Sequence, residues 1–441
     1  MPLFQKISAS LRDDPLIRRV LRNSSYLFSS NTISAALGFA QGIFVVRLLG
    51  IEKFGLITAV MLFASNVNRL LSFRMSEVLV KYMGAALAQE NKDRAAAIVK
   101  WVGIAEALTS ILAYLVLFAL APWFAKDIAE TNLYRFYGVF LLANIVYETS
   151  TGVLQVTDKF KRVAFANLLQ SIVTTIFIIT AFFMQRGLFE ILTAYLIGKT
   201  IAAVIITKSA VQELKHKLGN GWTRASFGLI TDWKSISGFA LSTNINGTVN
   251  LFARDNIPLY IKYFVSDTAL GYFRLASSLI NLVMLPIEPF IWPTYKEITS
   301  TIAQRQWQAT RKLLKQVSAI AGIWTLLAGG GLVALGWWFI PLVYGADSAP
   351  AYVCVLVLLV GYGFANIMNW NRPLLLALGQ PTYPLMVAAL TGVIEIICIF
   401  VFVPRGGYLI GAAIFSAYLA ISISINVLRG LSIIKREEAR A

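Results

Sequence analysis

The chain has 441 residues, of which 57% are hydrophobic and only 14% charged, against about 25% charged in soluble globular domains. One large soluble core is excluded, and a multi-span membrane protein is indicated. The net charge of +17 does not point to nucleic acid, because the basic residues lie in short groups between apolar segments, the pattern of loops facing the cytoplasm.

Residues 1–25 carry Lys6, Arg12, Arg18, Arg19 and Arg22 and read as a cytoplasmic leader lying on the membrane surface. The first apolar run begins near Tyr26. It is too long for a signal-peptide core and lacks a small-residue cleavage site. A span needs about 20 mostly apolar residues, because the hydrocarbon core is ~30 Å thick. Twelve segments meet that length: 26–48, 55–80, 98–121, 134–156, 163–185, 189–207, 236–262, 271–295, 315–340, 351–377, 384–404 and 408–430. The expected fold is all-α and membrane-integral. A six-helix lobe covers 26–207, a cytoplasmic linker 208–235, a second six-helix lobe 236–430 and a cytoplasmic tail 431–441. With both termini on one side, that side carries about 26 Lys and Arg and the other about 7, which places the termini in the cytoplasm.

Span two reads FGLITAVMLFASNVNRLLSFRMSEVLVKYMG and holds Asn66, Asn68, Arg69, Arg74 and Glu77. A charged side chain at the bilayer centre costs roughly 2.5–3.5 kcal/mol even on the lenient insertion scale, so such residues face protein or a wet cavity. Arg74 and Glu77 are three apart and can share a helix face, either as a packing ion pair or as separate polar groups. Arg69 has no acidic residue at helical spacing on its own span. It is the better candidate for a cation that meets a travelling anion.

Span three contributes Glu106, span four Glu148 and span eleven Glu395. Each is either a carrier of a coupling proton or a hydrogen-bonded packing group, and for each alone packing is preferred. Lys199 in span six lies in LIGKT. The triplet is similar to part of a phosphate-binding loop, but the upstream glycine is missing and the context is an apolar helix, so nucleotide binding is rejected. Lys199 either snorkels or faces a cavity.

Span seven places Ser242, Thr243, Asn244 and Asn246 in its cytoplasmic third, then Arg254, Asp255 and Pro258 toward the outside. Adjacent residues point about 100° apart on a helix, so Arg254 and Asp255 need not pair with each other. Span eight holds Arg274 near its outer end and, lower down, LPIEPFIWP. Pro286, Pro289 and Pro293 each remove a backbone donor and disturb the preceding turn, with Glu288 among them. This segment is expected to break the helix, either as a hinge that lines the pathway or as a static kink. Arg372, near the cytoplasmic end of span ten, is placed to snorkel.

Gly38 with Gly42, and Gly407 with Gly411, have the spacing of close helix packing. Cys354 and Cys398 sit in apolar segments and read as small buried hydrophobes. His216 is the only histidine and falls in the central loop, so neither a histidine relay nor a metal site is expected, and no cofactor is implied.

Two passages share a pattern. RLLGIEKFGLITA leads from span one into span two, and KYFVSDTALGYFRLA leads from span seven into span eight. Each ends a span with a cation, crosses a short loop and reopens through Gly toward Ala, at matching places in the two halves, as in transporters built from repeats. VVRLLGIEKFGLITA, with KYFVSDTALGYFRLASSLINLVMLPIEPFIWP, resembles the polysaccharide (O-antigen type) flippases of the multidrug/oligosaccharidyl-lipid/polysaccharide exporter superfamily, over roughly Ser24 to Arg429. The resemblance implies two six-helix lobes related by a pseudo-two-fold around a central cavity. It implies export of undecaprenyl-pyrophosphate-linked oligosaccharide across a bacterial inner membrane in antiport with H⁺ or Na⁺, with membrane lipids and a polysaccharide polymerase as partners. The lipid II flippase branch is similar around SAALGFAQGIFVVRLLG but has cavity arginines where this chain has Ala35 and Gln41, and it carries two further spans. These departures favour the polysaccharide branch. Its second-helix arginine falls in the region of Arg69–Arg74 and its eighth-helix arginine matches Arg274.

The expected substrate-binding set is therefore Arg69, Arg74, Arg254 and Arg274. Glu77, Asp255 and Glu288 are the ion-coupling candidates, and Pro286, Pro289 and Pro293 the hinge. A cation-coupled drug exporter of the same superfamily is the alternative kept open by those three acids, with the arginines against it. An integral-membrane polymerase or glycosyltransferase is disfavoured by short outer loops and by the lack of a paired-carboxylate, Ser/His/Asp or metal-ligand arrangement.

Overall fold

The computed structural model describes residues 15–251 and 255–439, with side chains described from Tyr26 onward except at a few positions between 27 and 292. Arg254 lies outside the described residues, as do the first fourteen residues of the leader. Among the described residues every regular element is helical.

α1 runs from Pro15 to Leu71 and contains two passes, separated at Gly50, whose φ of 82° requires glycine. α2 (Met75–Ala88) completes span two after a break. α3 (Lys92–Phe124) is the third pass. The fourth is divided into α4 (Ile128–Gly138), α5 (Phe140–Ala143) and α6 (Tyr147–Val156). α7 (Phe160–Phe183) and α8 (Leu188–Leu218) follow unbroken. The seventh pass is α9 (Trp233–Asn250) and α10 (Ile257–Phe264). The eighth is α11 (Asp267–Met284), a 3-10 turn at Glu288–Phe290 and α12 (Ile291–Ala303). α13 (Trp307–Tyr344) is the ninth, and the tenth divides into α14 (Ala351–Ile367) and α15 (Asn371–Ala377). α16 (Thr382–Glu438) holds the last two passes, separated at Gly407. The twelve passes thus stand where hydropathy places them.

Contacts divide the chain into two compact units. One comprises 1–41 and 64–247, the other 42–63 and 248–441. The first is built on α2, whose Val78, Leu79 and Met83 pack with Ile98 and Val102 of α3, Val153 and Leu154 of α6 and Ile206 of α8. The start of α9 joins it, with the Tyr82 hydroxyl donating to the Ser235 carbonyl at 3.0 Å. Gln41, where the lipid II flippase branch carries a cation, is buried and donates to Thr175 Oγ1 at 2.9 Å.

In the second unit the two related sequence passages meet. A Cβ at Gly55 would stand 1.8 Å from the Asp267 carbonyl oxygen, and one at Gly271 would stand 2.4 Å from the Ile51 carbonyl oxygen. The contacts are reciprocal: each glycine meets the carbonyl four residues before its counterpart. Arg47 binds the same unit by donating to the Val343 carbonyl at 2.6 Å and to that of Leu342, at the C-terminal end of α13, where a cation is favourable. Lys262, one of the seven Lys and Arg that the charge count places in the outer loops, is instead within α10, buried and paired with Asp267 at 2.8 Å. The spacing of Gly38 and Gly42 does not mark a helix contact among the described residues, none of which comes within 4 Å of a Cβ position at either, whereas Gly411 meets Ile261. Large apolar side chains on α3 (Leu108, Leu112, Leu115) and α16 (Leu390, Val393, Ile397) are exposed at helical spacing, the surface a bilayer would cover.

The breaks recur. Within each six-pass half, the second and the fourth pass are interrupted. In the second, eighth and tenth passes the break frees a carbonyl, and a side chain takes it. In the eighth pass Pro286 and its neighbours divert the Ile287 amide to Met284, and Trp324 Nε1 of α13 donates to the released Val283 carbonyl at 2.7 Å. In the tenth, Ser318 Oγ donates to the Ile367 carbonyl at 3.1 Å. A buried carbonyl left unpaired costs about 1–3 kcal/mol. Trp324→Phe keeps the ring but removes the donor. It should lower stability by about that amount, seen as a reduced thermal midpoint in detergent, while Trp337→Phe on the same helix, whose indole is exposed and bonds locally to Ala334, should change it little.

Candidate functional site

The break in span two is made by residues without the usual breakers. Phe73 and Arg74 both take left-handed backbone angles, with φ of 48° and 45°. Asn244 of α9 stabilises the break, its side-chain amide donating to the Leu70 carbonyl at 2.9 Å. Arg69 lies in the last turn of α1, half-buried and engaged with its surroundings. Arg74 sits at the head of α2, exposed, with its guanidinium on Glu77 at 2.9 Å. That pair is open to solvent and therefore contributes roughly 0–1 kcal/mol.

The other expected residues belong to the second unit. Asp255 is half-buried just before α10, and Arg274 is exposed on α11, each with an interaction of its own. Pro286 is exposed between α11 and the 3-10 turn, Glu288 opens that turn exposed, Pro289 lies within it and Pro293 falls in the first turn of α12, also exposed. The structure therefore brings Arg74 and Glu77 together and gathers the prolines at one break. The remaining candidates it distributes between the two units.

Sequence reading passes over a third cluster as a cluster, although it names four of its members singly. Glu106 of α3 is 3% exposed. Its carboxylate accepts the amide of Glu148 at 2.8 Å and that of Thr149 at 2.7 Å, two of the orphan donors at the start of α6. Charge-assisted bonds of this kind are about twice as strong as neutral ones. The Glu148 carboxylate in turn accepts from Ser76 at 2.5 Å. Beside them, the Asn144 side-chain amide donates to the Phe140 carbonyl at 2.9 Å, which also accepts the Asn144 backbone amide. Gly198 lets α8 approach α7, since a Cβ there would stand 2.1 Å from Thr174 Oγ1, and this holds the next residue, Lys199, beside Gln170. The Lys199 amine lies 5.0 Å from the centroid of the Phe140 ring. These groups line a cavity of about 160 Å³ that also takes in Asn68, Ser72 and Tyr147. The available signal was six polar residues in spans two to four, with Gln170 and Lys199 in spans five and six; what joins them is tertiary.

Residues 44–351 match the family model described as polysaccharide biosynthesis protein. The chain belongs to that family. The inner membrane protein YghQ of Escherichia coli (strain K12) is 21% identical over 346 residues, covering 77% of this chain and 96% of that protein. Among solved structures, the inward-facing conformation of a multidrug resistance MATE family transporter of the MOP superfamily matches with a TM-score of 0.69 at 14% identity, over 92% of this chain and 96% of the other. The lipid II flippase MurJ in its inward closed conformation matches equally well, with a TM-score of 0.69 at 16% identity over 91% and 87%. The fold of this polysaccharide biosynthesis protein is thus the all-helical, multi-pass membrane fold of those solved structures.

Glu106 is the residue on which α6 of this family member depends. Glu106→Leu leaves two amides buried without an acceptor, at about 1–3 kcal/mol each. Its thermal midpoint in detergent should fall well below that of Glu148→Gln, which keeps an acceptor for Ser76.

Proposed function

We propose that this protein moves undecaprenyl-pyrophosphate-linked oligosaccharide from the cytoplasmic to the periplasmic leaflet of a bacterial inner membrane, for assembly of surface polysaccharide. The observation that carries the reading is the family match over 44–351. Its chemistry comes from the arginines of the spans. A guanidinium presents a planar fork of donors that fits phosphate oxygens, and charge-assisted bonds of this type shorten and strengthen out of water. Arg69, Arg254 and Arg274 are assigned to the pyrophosphate. Arg74 joins them only by leaving Glu77.

Both termini are assigned to the cytoplasm on the distribution of Lys and Arg. Carrying a negative headgroup outward is favoured by an inside-negative potential, by ~2.3 kcal/mol per charge per 100 mV. Return of the empty carrier is assigned to H⁺ or Na⁺ entry, with Glu77, Asp255 and Glu288 as the acids that bind it. The interrupted eighth pass, with Pro286, Pro289 and Pro293, is the bend about which the cycle turns. A polysaccharide polymerase would take up the product outside. The likeness to a structure described as a lipid II flippase supports the class of cargo, and the absence of a nucleotide motif in the sequence supports secondary transport.

The test is flipping of fluorescent undecaprenyl-pyrophosphate-linked oligosaccharide in proteoliposomes. The double variant Arg69→Gln/Arg274→Gln should lose at least about tenfold in rate, the factor that corresponds to 1.4 kcal/mol, below the 1.5–3 kcal/mol typical of one hydrogen bond to a charged group. Full activity in that variant removes the cationic site. Export of a cationic dye by the wild type, with no flipping, favours the drug-exporter alternative.

A further inference from the structure

The cavity inside the first unit has a composition that selects among ligands. It holds a cation, Lys199, together with two carboxylates, Glu106 and Glu148. Both oxygens of Glu106 are committed to backbone amides, and one oxygen of Glu148 to Ser76. Apart from the Phe140 ring, the Lys199 amine has no hydrogen-bond or ion-pair partner among the described residues. A bare cation would meet that ammonium, and a pyrophosphate would meet the carboxylates. Like charges at close range oppose both. What the lining suits is a neutral group that both donates and accepts.

The remaining lining supplies both functions. Asn68 and Gln170 each carry an amide with two donors and an acceptor, and Asn144 adds an amide oxygen beside the nitrogen that donates to the Phe140 carbonyl. Lys199 offers N–H donors, and Glu148 a second carboxylate oxygen. Tyr147 adds an aromatic wall, its hydroxyl held at 3.2 Å by Asn167. A volume of about 160 Å³ is many times the ~10–15 Å³ that one water needs, room for a small polar group such as one sugar ring. Neutral polyols with an apolar C–H face need this alternation of donor, acceptor and ring.

We propose that this cavity is a monosaccharide subsite, taking one sugar ring of the cargo through hydroxyl contacts to Lys199, Gln170, Asn144 and Glu148, apart from the arginines assigned to the pyrophosphate. The proposal rests on the reading of the protein as a lipid-linked oligosaccharide flippase. It divides recognition in two: the arginines hold the lipid pyrophosphate, common to every cargo, and the cavity reads the sugar.

The experiment compares two lipids on the full-length protein in nanodiscs: undecaprenyl-pyrophosphate-linked oligosaccharide and undecaprenyl pyrophosphate without sugar. Binding of each is measured for the wild type, Lys199→Met and Gln170→Leu. Each variant should weaken the oligosaccharide lipid about tenfold, the loss of one hydrogen bond or slightly more, and leave the sugar-free lipid within about twofold. Unchanged binding of the oligosaccharide lipid by both variants overturns the proposal. So does an equal loss of both lipids, which makes the cavity part of the pyrophosphate site or of the scaffold. Should Lys199→Met unfold early in a thermal scan, Gln170→Leu decides alone. If the wild type binds neither lipid, the flippase reading itself fails, which is a distinct outcome from a cavity that ignores the sugar.

Discussion

A backbone amide or carbonyl that leaves its helix inside a bilayer must find another partner, because the hydrocarbon offers none. This protein interrupts at least four of its passes, and side chains meet that requirement at the breaks. Asn244 takes the Leu70 carbonyl, Trp324 that of Val283, Ser318 that of Ile367, and Glu106 the amides of Glu148 and Thr149. Polar residues in apolar spans are therefore first of all the supports of broken helices. Breaks of the second and fourth passes recur in both halves, so a repeated architecture is visible in positions where helix geometry is given up.

The same constraint shapes the site. A break supported by polar side chains gathers polar side chains, and where they outnumber the backbone groups they serve, the excess lines a cavity. The first unit shows this directly. Glu106 is spent on the backbone, whereas Lys199 and Gln170 are left facing open volume. Small residues make the packing possible. Gly198 brings α8 onto α7, and Gly55 with Gly271 brings the two related passages of the second unit to backbone contact. The chain thus separates two uses of charge. Pairs such as Arg74 with Glu77 and Lys262 with Asp267 neutralise each other, and of these only the exposed Arg74 and Glu77 are candidates for cargo or coupling ion.

Much of this was legible in the sequence. Twelve apolar segments of sufficient length gave the passes, because the bilayer sets a length that hydropathy reports. Pro286, Pro289 and Pro293 marked one break, since proline announces a missing donor. The break at Phe73 and Arg74 carried no such mark: two non-glycine residues adopt left-handed angles there, supported by Asn244 from far along the chain. Glu106 could be placed in a span, but the two amides that its carboxylate accepts lie about forty residues away, beyond the reach of periodicity. The pattern of Gly38 and Gly42 suggested a contact that none of the described residues makes, because spacing specifies a face of a helix and not the helix opposite. Lys262 looked like a loop cation for the same reason, its partner Asp267 lying across a turn that sequence alone leaves open.

The account stands on the broken passes facing water and cargo, with only the unbroken faces toward lipid. Hydrogen exchange of the protein in nanodiscs measures this at the backbone. Amides of residues 72–74 and 285–290 should exchange far faster than those in the middle of α7, and should slow when undecaprenyl-pyrophosphate-linked oligosaccharide is added. Exchange at both breaks as slow as in α7, and unmoved by that lipid, would contradict it.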